Sequence, residues 1–190
     1  MNDTPASLPD HPFWRFSLEV YQQSPASQAL LHLQQQYGLN VNIMLFCCWW
    51  ACSGQGILVL PEIQRLFAKT ALWHNQVVVV LRNMRRRLKK PALPPQVQGW
   101  GRMLFQEELF AEHIEQLMLA ETLIRTPSPK VGNLTHVIGN VCRNLQLYFK
   151  SQQVQLAPKE EKYLCQLINA VFPKAKIAAI SATYRKIFDP

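Results

Sequence analysis

Twelve consecutive residues, Val41–Cys52 (VNIMLFCCWWAC), are apolar but for Asn42. A helical membrane span needs about 20 apolar residues. A shorter helix that is apolar on every side must be covered on every side by protein. This run therefore predicts a buried central helix over 41–53, and the rest of the chain must wrap it. A chain of 190 residues is long enough for one well-cored domain. Seven glycines among long apolar-periodic stretches favour helices over a meander of short strands. With 48% hydrophobic and 17% charged residues the chain is too apolar to be disordered.

The wrapping helices have start and stop signals. Asp10 or His11 can cap a helix to Tyr21, with Pro12 in the first turn and Phe13, Phe16 and Val20 on one face. Ser24-Pro25 starts a second helix, with Ala26, Leu30, Leu33 and Tyr37 at helical spacing, and Gly38 stops it. Pro61 opens a helix with Ile63, Leu66 and Phe67 inward, which Trp73–Lys90 follows or continues after a kink. Val77–Val80 reads intrinsically as strand. Val77, Leu81, Met84 and Leu88, however, recur at helical spacing with Arg82, Arg86, Lys89 and Lys90 opposite, so helix is preferred.

Pro91, Pro94 and Pro95 break the chain. A long helix is expected from about Gln98 to Leu123, then a second break at Thr126–Pro129 and Gly132-Asn133. Two or three helices follow within Leu134–Gln152, Pro158–Phe172 and Ala175–Ile187. The expected fold is all-α, one domain over 1–190, with seven to nine helices around 41–53. Residues 13–125 form its core and 126–190 pack onto it.

Five cysteines, three of them in the central apolar run, fit reduced buried thiols better than a disulfide framework. The first residues, MNDTPASLPDHP, carry no leader pattern. No CxxC pair, HExxH, GxSxG or phosphate-binding glycine loop occurs. Glu108, Glu112 and Glu115 share a helix face, but no Glu-x-x-His pair accompanies them, so they read as a solvated face rather than a metal site. His11, His32, His74, His113 and His136 are scattered. No catalytic residue, metal ligand or cofactor is therefore expected.

What remains is charge. The net charge is +8, and six of the nine residues from Arg82 to Lys90 are basic. Without them fourteen basic residues face twelve acidic ones. Cations at a helix C-terminus also complement its macrodipole, by about 0.3–1 kcal/mol each. In an antiparallel hairpin across the proline break, Arg82 lies level with Glu107 and Glu108, Arg86 with Arg102, and Lys90 with Gln98. Arg85, Arg86, Arg87, Lys89 and Lys90 are then left without acids, joined by Arg102 and Trp100. Such a tip suits an anionic partner, either nucleic acid or an acidic protein surface.

Several blocks occur in a fixed order: FWRFSLEVY, LLHLQQQYGLNVNIMLFCCWWA, LPEIQRLFAKTALWHNQVVVVLRNMRRRLKK and ELFAEHIEQLML. Together they resemble a proteobacterial family of small helical proteins known only as a domain of unknown function, over about residues 13–119. The resemblance implies a bacterial cytoplasmic helical protein and carries over no site residues. The leading expectation is a non-enzymatic protein binding a macromolecule through Arg82, Arg85, Arg86, Arg87, Lys89, Lys90, Arg102 and Trp100. One alternative is an enzyme or apolar-ligand carrier with a pocket beside Phe46, Trp49 and Trp50. The other is a structural subunit or homodimer joined through the Glu-rich helix.

Overall fold

The computed structural model describes residues 8–88, 97–124 and 132–188. Among them the chain forms nine α-helices and no strand. These are α1 (Pro12–Tyr21), α2 (Ser24–Tyr37), α3 (Val41–Cys52), α4 (Leu60–Trp73), α5 (Val79–Arg87), α6 (Gln98–Thr122), α7 (Leu134–Ser151), α8 (Glu161–Val171) and α9 (Ile177–Phe188). A π-helical segment, His74–Val78, joins α4 to α5, and a 3-10 turn, Pro158–Glu160, leads into α8. The fold is an all-α bundle. Lys89 and Lys90, the proline break at 91–95 and most of the second break, 126–131, lie outside the described residues.

No residue of α3 is exposed, and α1, α2, α6 and α7 surround it. Phe13 packs edge-on against Phe46, and Trp49 and Trp50 lie within 5.6 Å of the same Phe46 ring. The core runs on through α7 and α8 to Ile180 and Tyr184 of α9. Each fully buried Leu, Phe or Met side chain contributes about 1.5–3 kcal/mol of hydrophobic stabilisation.

Local chemistry sets the helix ends. His11 Nδ1 accepts a hydrogen bond from the Phe13 N–H at 3.1 Å and so caps α1. Gly38 ends α2 at φ +69°, a conformation that glycine adopts at no steric cost. Gln23, rather than Ser24, is the residue before α2; its side-chain N–H donates to the Ala170 carbonyl at 3.0 Å, tying α2 to α8. Ser24 instead accepts from Gln28.

Two α7 side chains anchor the connections on either side of α3. The Tyr148 hydroxyl accepts from the Asn40 backbone N–H at 2.8 Å. Fully buried Asn144 accepts from Leu58 N–H at 2.8 Å and donates to the carbonyls of Cys47 and Gly56. In this way the irregular 53–59 segment satisfies polar groups it could not leave buried and unpaired.

Candidate functional site

Val77–Val80 is helical, and the rod from α4 to α5 is continuous but not uniform. A π turn closes its hydrogen bonds one residue later than an α turn. Each inward position after it therefore moves on by one. The expected inward stripe was Val77, Leu81 and Met84; the observed one is Val78, Arg82 and Arg85, with Met84 exposed. Arg82, expected opposite the apolar stripe, is buried.

The same π turn sets His74 against α6. Trp73 fixes the approach by donating its indole N–H to the Ala111 carbonyl at 2.9 Å. His74 Nδ1 lies 3.0 Å from Glu115 Oε1 and 3.0 Å from Asn40 Nδ2; a hydrogen on Nδ1 serves the carboxylate, which can only accept. Glu115 is fully buried and also accepts from Asn40 Nδ2 and Asn42 Nδ2, each at 2.7 Å. Gln116 Nε2 donates to Asn42 Oδ1 at 2.9 Å and extends the network.

One to two turns away on α6 lies an ion-pair lattice. Glu108 accepts from Arg82 Nε at 3.0 Å and from both Nε and Nη2 of Arg85. Glu112 accepts from Arg82 Nη2 at 2.5 Å. Arg82 opposite Glu108 follows the expected hairpin register. Arg85, expected to remain without an acid, is paired. The hairpin register sets it level with Phe105, whose ring its guanidinium overlies at 5.5 Å. Side chains on a helix lean toward its N-terminus. In an antiparallel pair, Arg85 and Glu108 therefore lean toward one another and close the distance that a Cα register leaves open.

Glu108, Glu112 and Glu115 do share a face, but it points inward rather than into solvent. Burial pushes the Glu112 carboxyl above its ordinary value of 4.5, and the neighbouring Arg82 offsets only part of that. Glu108 and Glu115 are thus spent inside the bundle and are not available to join two copies through the Glu-rich helix. Sequence periodicity could not reveal this, because it takes apolar residues as the inward ones. The available signal was Asn42, the one polar residue in an otherwise apolar run, which announces a buried partner.

The remaining basic residues divide differently. Arg86, Arg87 and Arg102 are exposed and make no ion pair among the described residues. Trp100 is 63% and Met103 61% exposed in the first turns of α6. Lys89 and Lys90 are outside the described residues.

Phe46, Trp49 and Trp50 fill space with their own rings. The 290 Å³ cavity near the hairpin is lined by none of them; it lies between α1, α2, the Val41–Leu45 part of α3, and the Arg–Glu lattice. Burial drives the thiols away from reactivity: Cys52 and Cys142 are each pushed up to about 12, and Cys47 and Cys48 are raised as well. No group of three metal-ligating side chains occurs among the described residues.

Two outcomes test this site. Arg85→Glu places a third carboxylate in the lattice and should cost about 3 kcal/mol in urea unfolding. Arg86→Glu, one residue on, should stay within about 0.5 kcal/mol. For Glu112, a folded-state pKa above the unfolded one means that its contribution to stability is present at low pH and is lost as pH rises through the raised value. The stability of the wild type relative to Glu112→Gln should therefore decline as pH rises above 4.5, as read from urea midpoints; a rise would mean the carboxyl is held ionised instead.

No curated protein and no solved structure matches this chain. No helix among the described residues is long and apolar enough to cross a membrane. One family matches residues 12–119, the stretch from the first residue of α1 to near the end of α6, and so contains every side chain of the lattice and of the Glu115 network. The chain belongs to that family, described as protein of unknown function (DUF2390).

Proposed function

We propose that this chain is a non-enzymatic binding protein that docks an acidic protein surface on the outer end of its α5–α6 hairpin. One observation carries the reading: the hairpin neutralises Arg82 and Arg85 internally, while Arg86, Arg87 and Arg102 stay exposed in the same hairpin as exposed Trp100 and Met103. Arg, Trp and Met are the residue types enriched where proteins meet, and Arg adds bidentate recognition of carboxylates. A phosphate-tracking surface needs cations strung along a groove. Here Arg102 alternates with exposed Trp100 and Met103 in the first turns of α6, which favours a protein partner over nucleic acid. The net charge of +8 speeds encounter with acidic surfaces. A cytoplasmic setting fits the five free cysteines.

The test is photo-crosslinking from residue 103 in the native host, with and without nuclease, followed by affinity measurement with the captured protein. The triple variant Arg86→Glu, Arg87→Glu, Arg102→Glu should weaken that complex at least tenfold while keeping Tm within about 2 °C, since all three side chains are solvent-facing. Arg85 is left intact because its reversal would confound binding with folding. Capture that nuclease abolishes would overturn the protein-partner reading in favour of nucleic acid. An unchanged affinity in the triple variant would remove the hairpin end from the site.

A further inference from the structure

The cavity beneath the hairpin holds an unmet hydrogen-bonding demand. Its volume of about 290 Å³ is at the lower edge of small-molecule pockets, about 300–1,000 Å³. Three buried oxygens have no partner in the protein, Ser17 Oγ, Gln34 Oε1 and Gln116 Oε1, and all three belong to residues lining this cavity. Ser17 and Gln116 are 3% and 4% exposed. A buried polar atom left unsatisfied costs about 1–3 kcal/mol. Three converging on one cavity are a concentration that a natural core does not carry without reason.

The Glu115 network fixes what Gln116 asks for. The Glu115 carboxylate can only accept, so the side chain of Asn42 must present Nδ2 to it. That leaves Asn42 Oδ1 to accept, so Gln116 must present Nε2. Gln116 Oε1 is then the atom left over, and a carbonyl oxygen can only accept. The missing partner is a donor. Arg82 and Arg85 are balanced by Glu108 and Glu112, and Arg86 adds one further positive charge to the lining; this disfavours a cation, while the unpartnered amide oxygens of Gln34 and Gln116 disfavour an anion. Trp14 and Phe105 supply aromatic wall, and leucines supply much of the rest.

We propose that this cavity binds a small neutral aromatic molecule bearing an N–H or O–H donor, its ring between the aromatic and leucine walls and its donor on Gln116 Oε1. Ser17 Oγ accepts from a second donor where the ligand has one. The site shares Arg86 with the outer hairpin surface, but none of Arg87, Trp100, Arg102 or Met103 lines it.

Matched probes test it. Calorimetry or ligand-observed NMR would compare indole with benzofuran, which is equal in size but carries an ether oxygen in place of the N–H. Indole should bind one to one and at least tenfold more tightly. Gln116→Leu should erase the difference. Ser17→Leu, which fills the cavity and removes an unpartnered hydroxyl, should abolish binding with Tm unchanged or raised, so the test survives if Gln116→Leu does not fold. Equal affinity for the two probes, absence of saturable indole binding up to millimolar concentration, or full binding by Ser17→Leu would each overturn the proposal.

Discussion

The carboxylate of Glu115 is the point on which this bundle turns. It is fully buried, and removing such a charge from water costs several kcal/mol before any compensation. The compensation comes from three different places in the fold: Asn40 in the turn after α2, Asn42 in the first turn of α3, and His74 in the π segment after α4. Asn40 is itself held to α7 through its backbone N–H and Tyr148. One side chain of α6 thus fixes the position of four other parts of the chain. Apolar packing could be satisfied by several sliding registers of α6 against α3. Three donors converging on two oxygens admit one.

From that fixed point the rest of the hairpin follows. With His74 held to α6, the π turn rotates α5 so that Arg82 and Arg85 face Glu108 and Glu112 rather than water. The lattice closes the hairpin side of the 290 Å³ cavity and spends two cations internally. The cations left outside, Arg86, Arg87 and Arg102, belong to the same hairpin as exposed Trp100 and Met103. Inner polar order and outer surface chemistry are consequences of the same one-residue shift.

Much of this architecture was legible in the residues. The apolar run 41–52 announced a covered helix, and Pro12, Gly38 and Pro61 marked helix ends, because each acts through local backbone chemistry. The level of Arg82 with Glu108 followed from hairpin geometry alone. What periodicity missed was the π turn, since the four valines around it carry no signal for an extra residue. Every inward position after it was consequently read one residue early. The buried glutamates were missed for a related reason: a Glu-rich face looks solvated unless its partners, Asn40, Asn42 and His74, are known to be near, and they lie 41 to 75 residues from Glu115 in sequence. The orphan oxygens around the cavity follow only from the complete hydrogen-bond network.

The central claim is that Glu115 organises the fold as an acceptor facing fixed donors, and exchanging donor and acceptor tests it. Glu115→Gln turns one acceptor into a donor aimed at an Asn amide, and Asn42→Asp sets two carboxylates together. Each should lower unfolding free energy by about 2–4 kcal/mol. The double variant restores a donor–acceptor pair with roles reversed and should recover at least about 1.5 kcal/mol relative to the sum of the single losses. Simple additivity, or a loss below about 0.5 kcal/mol for Glu115→Gln, would show that apolar packing alone sets the bundle.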